Sequence, residues 1–208
     1  MTLVIVDYGA GNLRSVERAF QRVGAPVQIS ADPGVLIGAS GIVLPGVGAF
    51  GDGMRELQAR GLAPVLQDLA AGGRPLLGIC LGMQLLFDES EEMGRTAGLG
   101  LLRGRVRRFA PGLKVPHIGW NQVHTVRPAP LLDGMPQDSY AYFVHSYYVE
   151  PADPDVILAT TDYGGAFASV VGRRQLYGLQ FHPEKSQEVG LRMLAAFVAV
   201  VAGEEQRS

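Results

Sequence analysis

Pro75-Leu76-Leu77-Gly78-Ile79-Cys80-Leu81-Gly82-Met83-Gln84-Leu85-Leu86-Phe87 is the stretch on which the reading of this chain turns. An apolar run of strand length, Leu76–Ile79, meets a sharp turn and continues into a second apolar run, Leu81–Phe87, that reads as a helix. Strand, turn and helix in immediate succession predict a βα unit. Gly78-x-Cys80-x-Gly82 has the spacing of a nucleophile elbow, in which flanking glycines permit a strained turn and leave the central side chain exposed above a sheet. Cys80 is also the one cysteine of the chain. A thiol at a helix N-terminus is favoured as thiolate by the helix dipole and the unpaired N–H groups. The bland alternative is a small buried hydrophobe, and the paired glycines tip the reading toward a nucleophile.

The segments before it repeat the same alternation. Leu3–Val6 reads as a buried strand, and Leu13, Val16, Ala19, Phe20 and Val23 fall on one helical face that ends at Gly24. Val27–Ile29 and Gly41–Leu44 read as strands. Met54–Arg60 and Val65–Ala70 read as helices with a break at 61–64. From about Leu99 the pattern changes to short strands and turns: Val106–Phe109, Val115–Val126, Tyr140–Val149, Val156–Thr161 and a hairpin over Phe167–Phe181. Glu188–Val201 closes the chain as a helix. Residues 1–203 read as one α/β domain, a mixed, mainly parallel sheet flanked by helices with a β-rich second half, and 204–208 as a frayed polar tail.

Composition narrows the function. The 208 residues are 47% hydrophobic and 18% charged with a net charge of −2, enough apolar material for a continuous core. No Lys/Arg-dense run supplies the field that nucleic acid or an anionic membrane surface needs. No apolar run approaches the ~18 residues of a bilayer span, and Met1–Asp7 carries no basic n-region, so the expectation is a cytoplasmic protein bound neither to membrane nor to nucleic acid. One cysteine and four histidines make neither an intrachain disulfide nor a convincing zinc site, and no metal or cofactor is expected.

A nucleophilic thiol needs a base, and the histidines are His117, His124, His145 and His182. His117 and His124 have no acidic residue close in sequence and read as structural. His145 stands at a strand end able to line a pocket. His182 stands apart because Glu184 follows two residues later; in extended chain the two side chains share a face, with Pro183 stiffening the segment. The carboxylate then orients the imidazole and stabilises its cation. Acyl transfer further needs oxyanion donors: the Leu81 N–H after the nucleophile, and an amide from the glycine-rich loop Pro45-Gly46-Val47-Gly48-Ala49-Phe50. That loop also spells G-x-G-x-x-G from Gly46 to Gly51, but the acidic residue expected about 20 positions on is missing, since Asp68 falls in a helix; dinucleotide binding is discounted.

With these residues in place, the chain resembles the class I, triad-type glutamine amidotransferases over nearly its whole length, through Gly78–Gln84, Pro45–Gly48 and His182-Pro183-Glu184. Ile5–Leu13, Pro116-His117-Ile118-Gly119-Trp120-Asn121 and His182–Ser186 further resemble those family members that feed ammonia to a separate (β/α)₈ cyclase in histidine biosynthesis. The resemblance implies a flavodoxin-like fold and hydrolysis of glutamine to glutamate and ammonia in a heterodimer with that cyclase. It assigns Cys80, His182 and Glu184 to catalysis, and Val47, Gly48 and Leu81 to the oxyanion hole. Gly48, Gln84, Ser146 and Tyr147 go to substrate binding, and Trp120, Asn121, Tyr142 and Lys185 to the partner interface and ammonia exit. In this family the isolated subunit is a poor glutaminase. The alternatives are a glutaminase serving another synthase, a γ-glutamyl hydrolase, or a non-catalytic module that keeps the fold.

Overall fold

The computed structural model describes residues 1–205. Its first half is β1 (Leu3–Val6), α1 (Leu13–Arg22), β2 (Val27–Ser30), α2 (Pro33–Ile37), β3 (Gly41–Gly46), α3 (Phe50–Ala59), α4 (Leu62–Ala71), β4 (Leu76–Cys80) and α5 (Leu81–Leu85). The second half runs β5 (Phe87–Ser90), β6 (Thr96–Ala97), β7 (Leu102–Arg108), β8 (His117–Thr125), β9 (Ser139–His145) and β10 (Tyr147–Pro151). It continues as β11 (Ile157–Asp162), β12 (Ala166–Arg173), β13 (Leu176–Leu179) and α6 (Gln187–Glu205).

Nine strands form one sheet in the order β2-β1-β3-β4-β13-β12-β11-β8-β9. The pairs from β2 to β13 are parallel, and from β13 outward each pair is antiparallel. β10, β7, β5 and β6 make a second, smaller sheet. The expected mixed α/β architecture with a β-rich second half is thus present.

Period-two alternation sends β1 into two cores. Leu3 and Ile5 face a core closed by Val16 and Phe20 of α1 and Leu194 and Phe197 of α6. Val4 and Val6 face another built with Leu36, Met54, Leu57 and Leu66 from α2, α3 and α4. A parallel sheet covered on both faces reads as continuous apolar strands, as this one does.

Several boundaries differ from the sequence expectation, each for a local reason. The helix after Cys80 stops at Leu85 rather than Phe87, because returning chain claims its last carbonyls: Leu99 N–H donates to Leu85 O (2.9 Å) and Leu101 N–H to Leu86 O (2.8 Å). Phe87 is thereby released into β5, a strand the sequence reading omits. It also omits the five-residue α2, although Asp32 caps it by accepting from Gly34 N–H (2.8 Å) with Pro33 at the first turn. Only Arg60 and Gly61 separate α3 from α4, with Gly61 left-handed at φ +68°, so Pro64 sits inside the first turn of α4 where its missing N–H is harmless. Tyr140–Val149 is two strands, broken at Ser146. α6 runs to Glu205, into the segment expected to fray, and 206–208 lie outside the described residues.

The closest backbone approach lies under the turn after β4. A Cβ on Gly82 would fall 1.7 Å from the Leu44 carbonyl oxygen, and one on Gly78 would fall 2.7 Å from the Gly82 oxygen. Neither neighbour is a side chain that can swing aside. Gly82→Ala is therefore expected to cost at least about 3 kcal/mol, in the upper range for single substitutions. At about 2–4 °C per kcal/mol for a domain of this size, the melting temperature falls by roughly 6–12 °C. Gly203→Ala, in α6 where a Cβ meets nothing within 4 Å, leaves it unchanged or slightly raised. Thermal denaturation followed by circular dichroism checks the contrast.

Candidate active site

β4 carries Cys80 to its C-terminal end and α5 begins at the next residue, with Cys80 itself at φ 55° and ψ −110°. A non-glycine residue at positive φ stores strain that the surroundings must enforce; here Gly78 and Gly82 let α5 fold back against β3 and β4. The β3–β4 register sets Gly46 opposite Cys80, so β3 brings the 46–48 loop beside the thiol. Gly46 has no room for a side chain: its Cβ would lie 2.2 Å from the Tyr8 hydroxyl, a buried group without a hydrogen-bond partner among the described residues. Burial, then the nearby Cys80, pushes the Tyr8 phenol above its usual range.

His182 and Glu184 do pair, with Nδ1 to Oε1 at 2.8 Å, but not in extended chain. Pro183–Lys185 is a 3₁₀ turn with His182 at its N-cap position, and the turn folds the carboxylate back under the ring. The same turn is tied to β9: His182 N–H donates to Tyr142 O (3.0 Å), while the Ser186 hydroxyl donates to His182 O (2.7 Å) and accepts from Tyr142 N–H (3.0 Å). Both side chains are sealed off, 5% exposed for His182 and 1% for Glu184. Burial alone disfavours the charged ring, but the neighbouring Cys80 sulfur and the Glu184 carboxylate outweigh it and push the His182 pKa up to about 10. At neutral pH the ring is an imidazolium, and the buried carboxylate has the counter-charge it needs.

A pocket of about 290 Å³ opens beside the thiol. Of the residues expected at a reaction centre, Val47, Gly48, Cys80, Leu81, Gln84, Ser146, Tyr147 and His182 all line it. Gly48 is at φ +98°, a conformation that favours glycine at this edge of the pocket. Gln84 is anchored from behind, its Nε2 donating to Tyr147 O (2.9 Å) and to Gln180 Oε1 (3.1 Å). Trp120, Asn121, Tyr142 and Lys185 lie elsewhere, on the β8–β9 hairpin and the 3₁₀ turn. Trp120 and Tyr142 are cross-strand partners with ring centroids 5.9 Å apart, and Lys185 Nζ sits 5.8 Å from the Tyr142 ring. A larger groove of about 760 Å³ along α6 holds none of these groups. Among the described residues no cluster of three His, Cys, Asp or Glu is placed to hold a metal ion, and no helix is long and apolar enough to cross a membrane.

Sequence reasoning missed three contributors, Glu92, Gln180 and Ser186. Glu92 lines the pocket and accepts from Phe50 N–H (2.7 Å) at the start of α3; it follows β5, whose existence the sequence did not signal. Gln180, fully buried, places Nε2 4.0 Å from Cys80 Sγ, and its position two residues before His182 was an available clue. Ser186 is the tie described above. His145 does line the pocket, as its strand-end position allowed. His124, with no acidic residue close in sequence, is met at Nδ1 by Asp138 from 14 residues away, and it lies outside the pocket.

A family model for "Glutamine amidotransferase class-I" matches residues 4–201. "Imidazole glycerol phosphate synthase subunit HisH" of Moorella thermoacetica is 52% identical over 199 residues, covering 96% of this chain and 95% of that protein. The protein of the same name in Symbiobacterium thermophilum is 56% identical over 193 residues, covering 93% and 91%. Among solved structures, one titled "Crystal structure of glutamine amidotransferase" superposes at a TM-score of 0.77 with 20% identity, covering 96% of this chain and 98% of that one. At that identity the likeness speaks to the fold alone.

The raised His182 pKa has a direct consequence. Glu184→Gln keeps the shape but removes one of the groups that favour the imidazolium, so the midpoint of His182 titration moves down, toward the ordinary 6.5. ¹⁵N-histidine NMR across pH 6–11 reads the midpoint. An unchanged midpoint contradicts the pairing.

Proposed function

This chain belongs to the class-I glutamine amidotransferase family, and on that premise we propose that it is the glutaminase subunit of an imidazole glycerol phosphate synthase. Relatives at 52% and 56% identity across nearly the full chain carry that name. The observation that carries the mechanism is the convergence of Cys80 and the His182–Glu184 pair on one small pocket.

Cys80, its proton passed to His182, attacks the side-chain amide carbon of glutamine, forming a C–S bond and an oxyanion that Leu81 N–H and an amide of the Val47–Gly48 loop stabilise. The His182 imidazolium gives its proton to the leaving nitrogen, the C–N bond breaks, and ammonia departs from a thioester. Water then attacks the thioester, His182 takes a proton from it, the C–S bond breaks, and glutamate leaves with the sulfur and the His182 ring back in the forms that began the attack. Glu184 holds the ring in register throughout. Gly48, Gln84, Ser146 and Tyr147 bind the substrate, with Glu92 at hand as an acidic group to meet its α-ammonium. The substrate is a neutral amide with no net charge to steer, in keeping with a nearly neutral chain.

The ammonia goes to a separate (β/α)₈ cyclase subunit, with which this cytoplasmic chain forms a heterodimer. The docking face is the β8–β9 hairpin, where Ile118 (60%), Trp120 (47%) and Tyr140 (55%) are exposed, an unusual concentration of large apolar side chains for a free surface. Tyr142 joins that face directly to the His182 backbone, which supports an ammonia exit by Trp120, Asn121, Tyr142 and Lys185.

A glutaminase assay with and without the cyclase subunit and its ribonucleotide substrate tests the reading. Strong stimulation is expected; activity indifferent to that partner favours a glutaminase of another synthase or a γ-glutamyl hydrolase. Cys80→Ser lowers turnover by at least about 10³ with the fold retained, and residual wild-type-like turnover excludes the thioester route.

A further inference from the structure

Two buried histidines play no part in this chemistry. His117 (3% exposed) and His145 (6%) are cross-strand partners in β8–β9. His145 Nδ1 lies 2.8 Å from the Tyr147 carbonyl oxygen, His145 Nε2 lies 3.2 Å from His117 Nδ1, and His117 Nε2 lies 3.2 Å from Asn121 Nδ2. Burial drives both rings neutral, His145 down to about 3. A neutral ring has one donor and one acceptor, and the ends of the chain then fix every proton. A carbonyl can only accept, so His145 carries its hydrogen on Nδ1 and leaves Nε2 bare. His117 must therefore donate from Nδ1, leaving its Nε2 to accept from Asn121. The Asn121 amide is set independently, since Nδ2 also donates to Asp162 O (2.8 Å) and Oδ1 accepts from Gln122 N–H (2.8 Å).

The chain does not end at Tyr147. Its carbonyl takes a second hydrogen from Gln84 Nε2, whose other hydrogen goes to Gln180 Oε1, and Gln180 Nε2 reaches toward Cys80 Sγ. Both Gln84 amide hydrogens are thus committed away from the pocket, leaving its Oε1 to meet a donor on a ligand. The His117 ring is clamped between Phe143 (centroids 5.0 Å, 22°) and Tyr163 (4.0 Å, 23°), so it cannot re-aim without disturbing the aromatic cluster.

Resting on the glutaminase reading above, we propose that His117 and His145 are positioning residues for glutamine. As an Nδ1–H to Nε2 relay starting at Asn121, they fix the Tyr147 carbonyl and, through it, the orientation of the Gln84 amide in the substrate pocket. They touch no reacting atom, so their loss falls on substrate binding ahead of chemistry.

The test uses the protein in complex with its partner synthase subunit and that subunit's ribonucleotide substrate. His145→Leu, which removes the Nδ1 donor, raises KM for glutamine by about tenfold, the size expected for a buried acceptor left short of a donor, while kcat stays within about threefold. His145→Asn, which restores an N–H at the Nδ1 position, recovers most of that loss, and His117→Leu behaves as the milder form of His145→Leu. A folded His145→Leu with unchanged KM, or an equal loss in Leu and Asn variants, overturns the proposal. A second measurement needs neither a variant nor activity: long-range ¹H–¹⁵N spectra of the wild-type chain at pH 7 show both rings as the Nδ1–H tautomer, the minority form of free imidazole. An Nε2–H tautomer, or a charged ring, at either position overturns it. An inactive wild-type complex instead counts against the glutaminase reading and leaves the tautomer result to judge the relay.

Discussion

Everything at the reaction centre hangs on one backbone contact, the seating of Gly82 against the Leu44 carbonyl. With no Cβ, the first turn of α5 lies directly on the end of β3, and the chain between them must reverse within Ile79–Leu81. That reversal puts Cys80 at φ 55°. The strain is held in place by the surrounding packing: β4 is pinned between β3 and β13 in parallel register, and α5 is packed on Leu44 and Met54 by its own apolar side chains. A looser turn relaxes to negative φ and turns the thiol away from the His182 side. The parallel half of the sheet exists, in this sense, to make one dihedral angle affordable.

The antiparallel half has a different task. β13 runs out of the sheet straight into Gln180, Phe181 and His182, so His182 arrives on the strand adjacent to the one that carries Cys80. β8 and β9 at the far edge curl back over this segment, and Tyr142 and Ser186 bond the His182 backbone to β9. The pocket is therefore walled by the helical turn at Cys80 on one side and by a hairpin at the sheet edge on the other. The same hairpin carries its exposed apolar residues outward, which makes its two faces serve two different contacts.

What could be read in the sequence were features whose cause is local. The β4–α5 elbow, the Gly24 stop of α1 and the pairing of His182 with Glu184 each rest on residues within a few positions of one another. Even so, the contact of His182 with Glu184 forms by a geometry other than the extended one expected, because His182 stands at the N-cap of a Pro-led 3₁₀ turn that folds Glu184 back to it. What could not be read depended on chain far away. α5 ends at Leu85 because Leu99 and Leu101 return to take its carbonyls; nothing in Leu81–Phe87 announces this. Glu92 reaches the pocket only because β5 exists, and Asp138 reaches His124 across a loop. Cys80, His182 and Glu184 lay in motifs, whereas the pairing of His117 with His145 lay in tertiary structure.

The two histidines that border this pocket show how the fold assigns protonation. Both are buried, and burial alone lowers the pKa of each. For His182 the partners are the Cys80 sulfur and a carboxylate 2.8 Å away, and together they reverse the effect of burial. For His145 the partners are a carbonyl and another neutral imidazole, which offer hydrogen bonds but no negative charge; His182 itself acts on it as a like charge and lowers it further. The result is one imidazolium and one imidazole in the same wall, with pKa values of about 10 and about 3. A cation at both places would repel and would break the Tyr147 contact, and a neutral ring at both would leave the buried Glu184 uncompensated. The charge pattern that suits acyl transfer is thus the same one that lets this pocket stay folded.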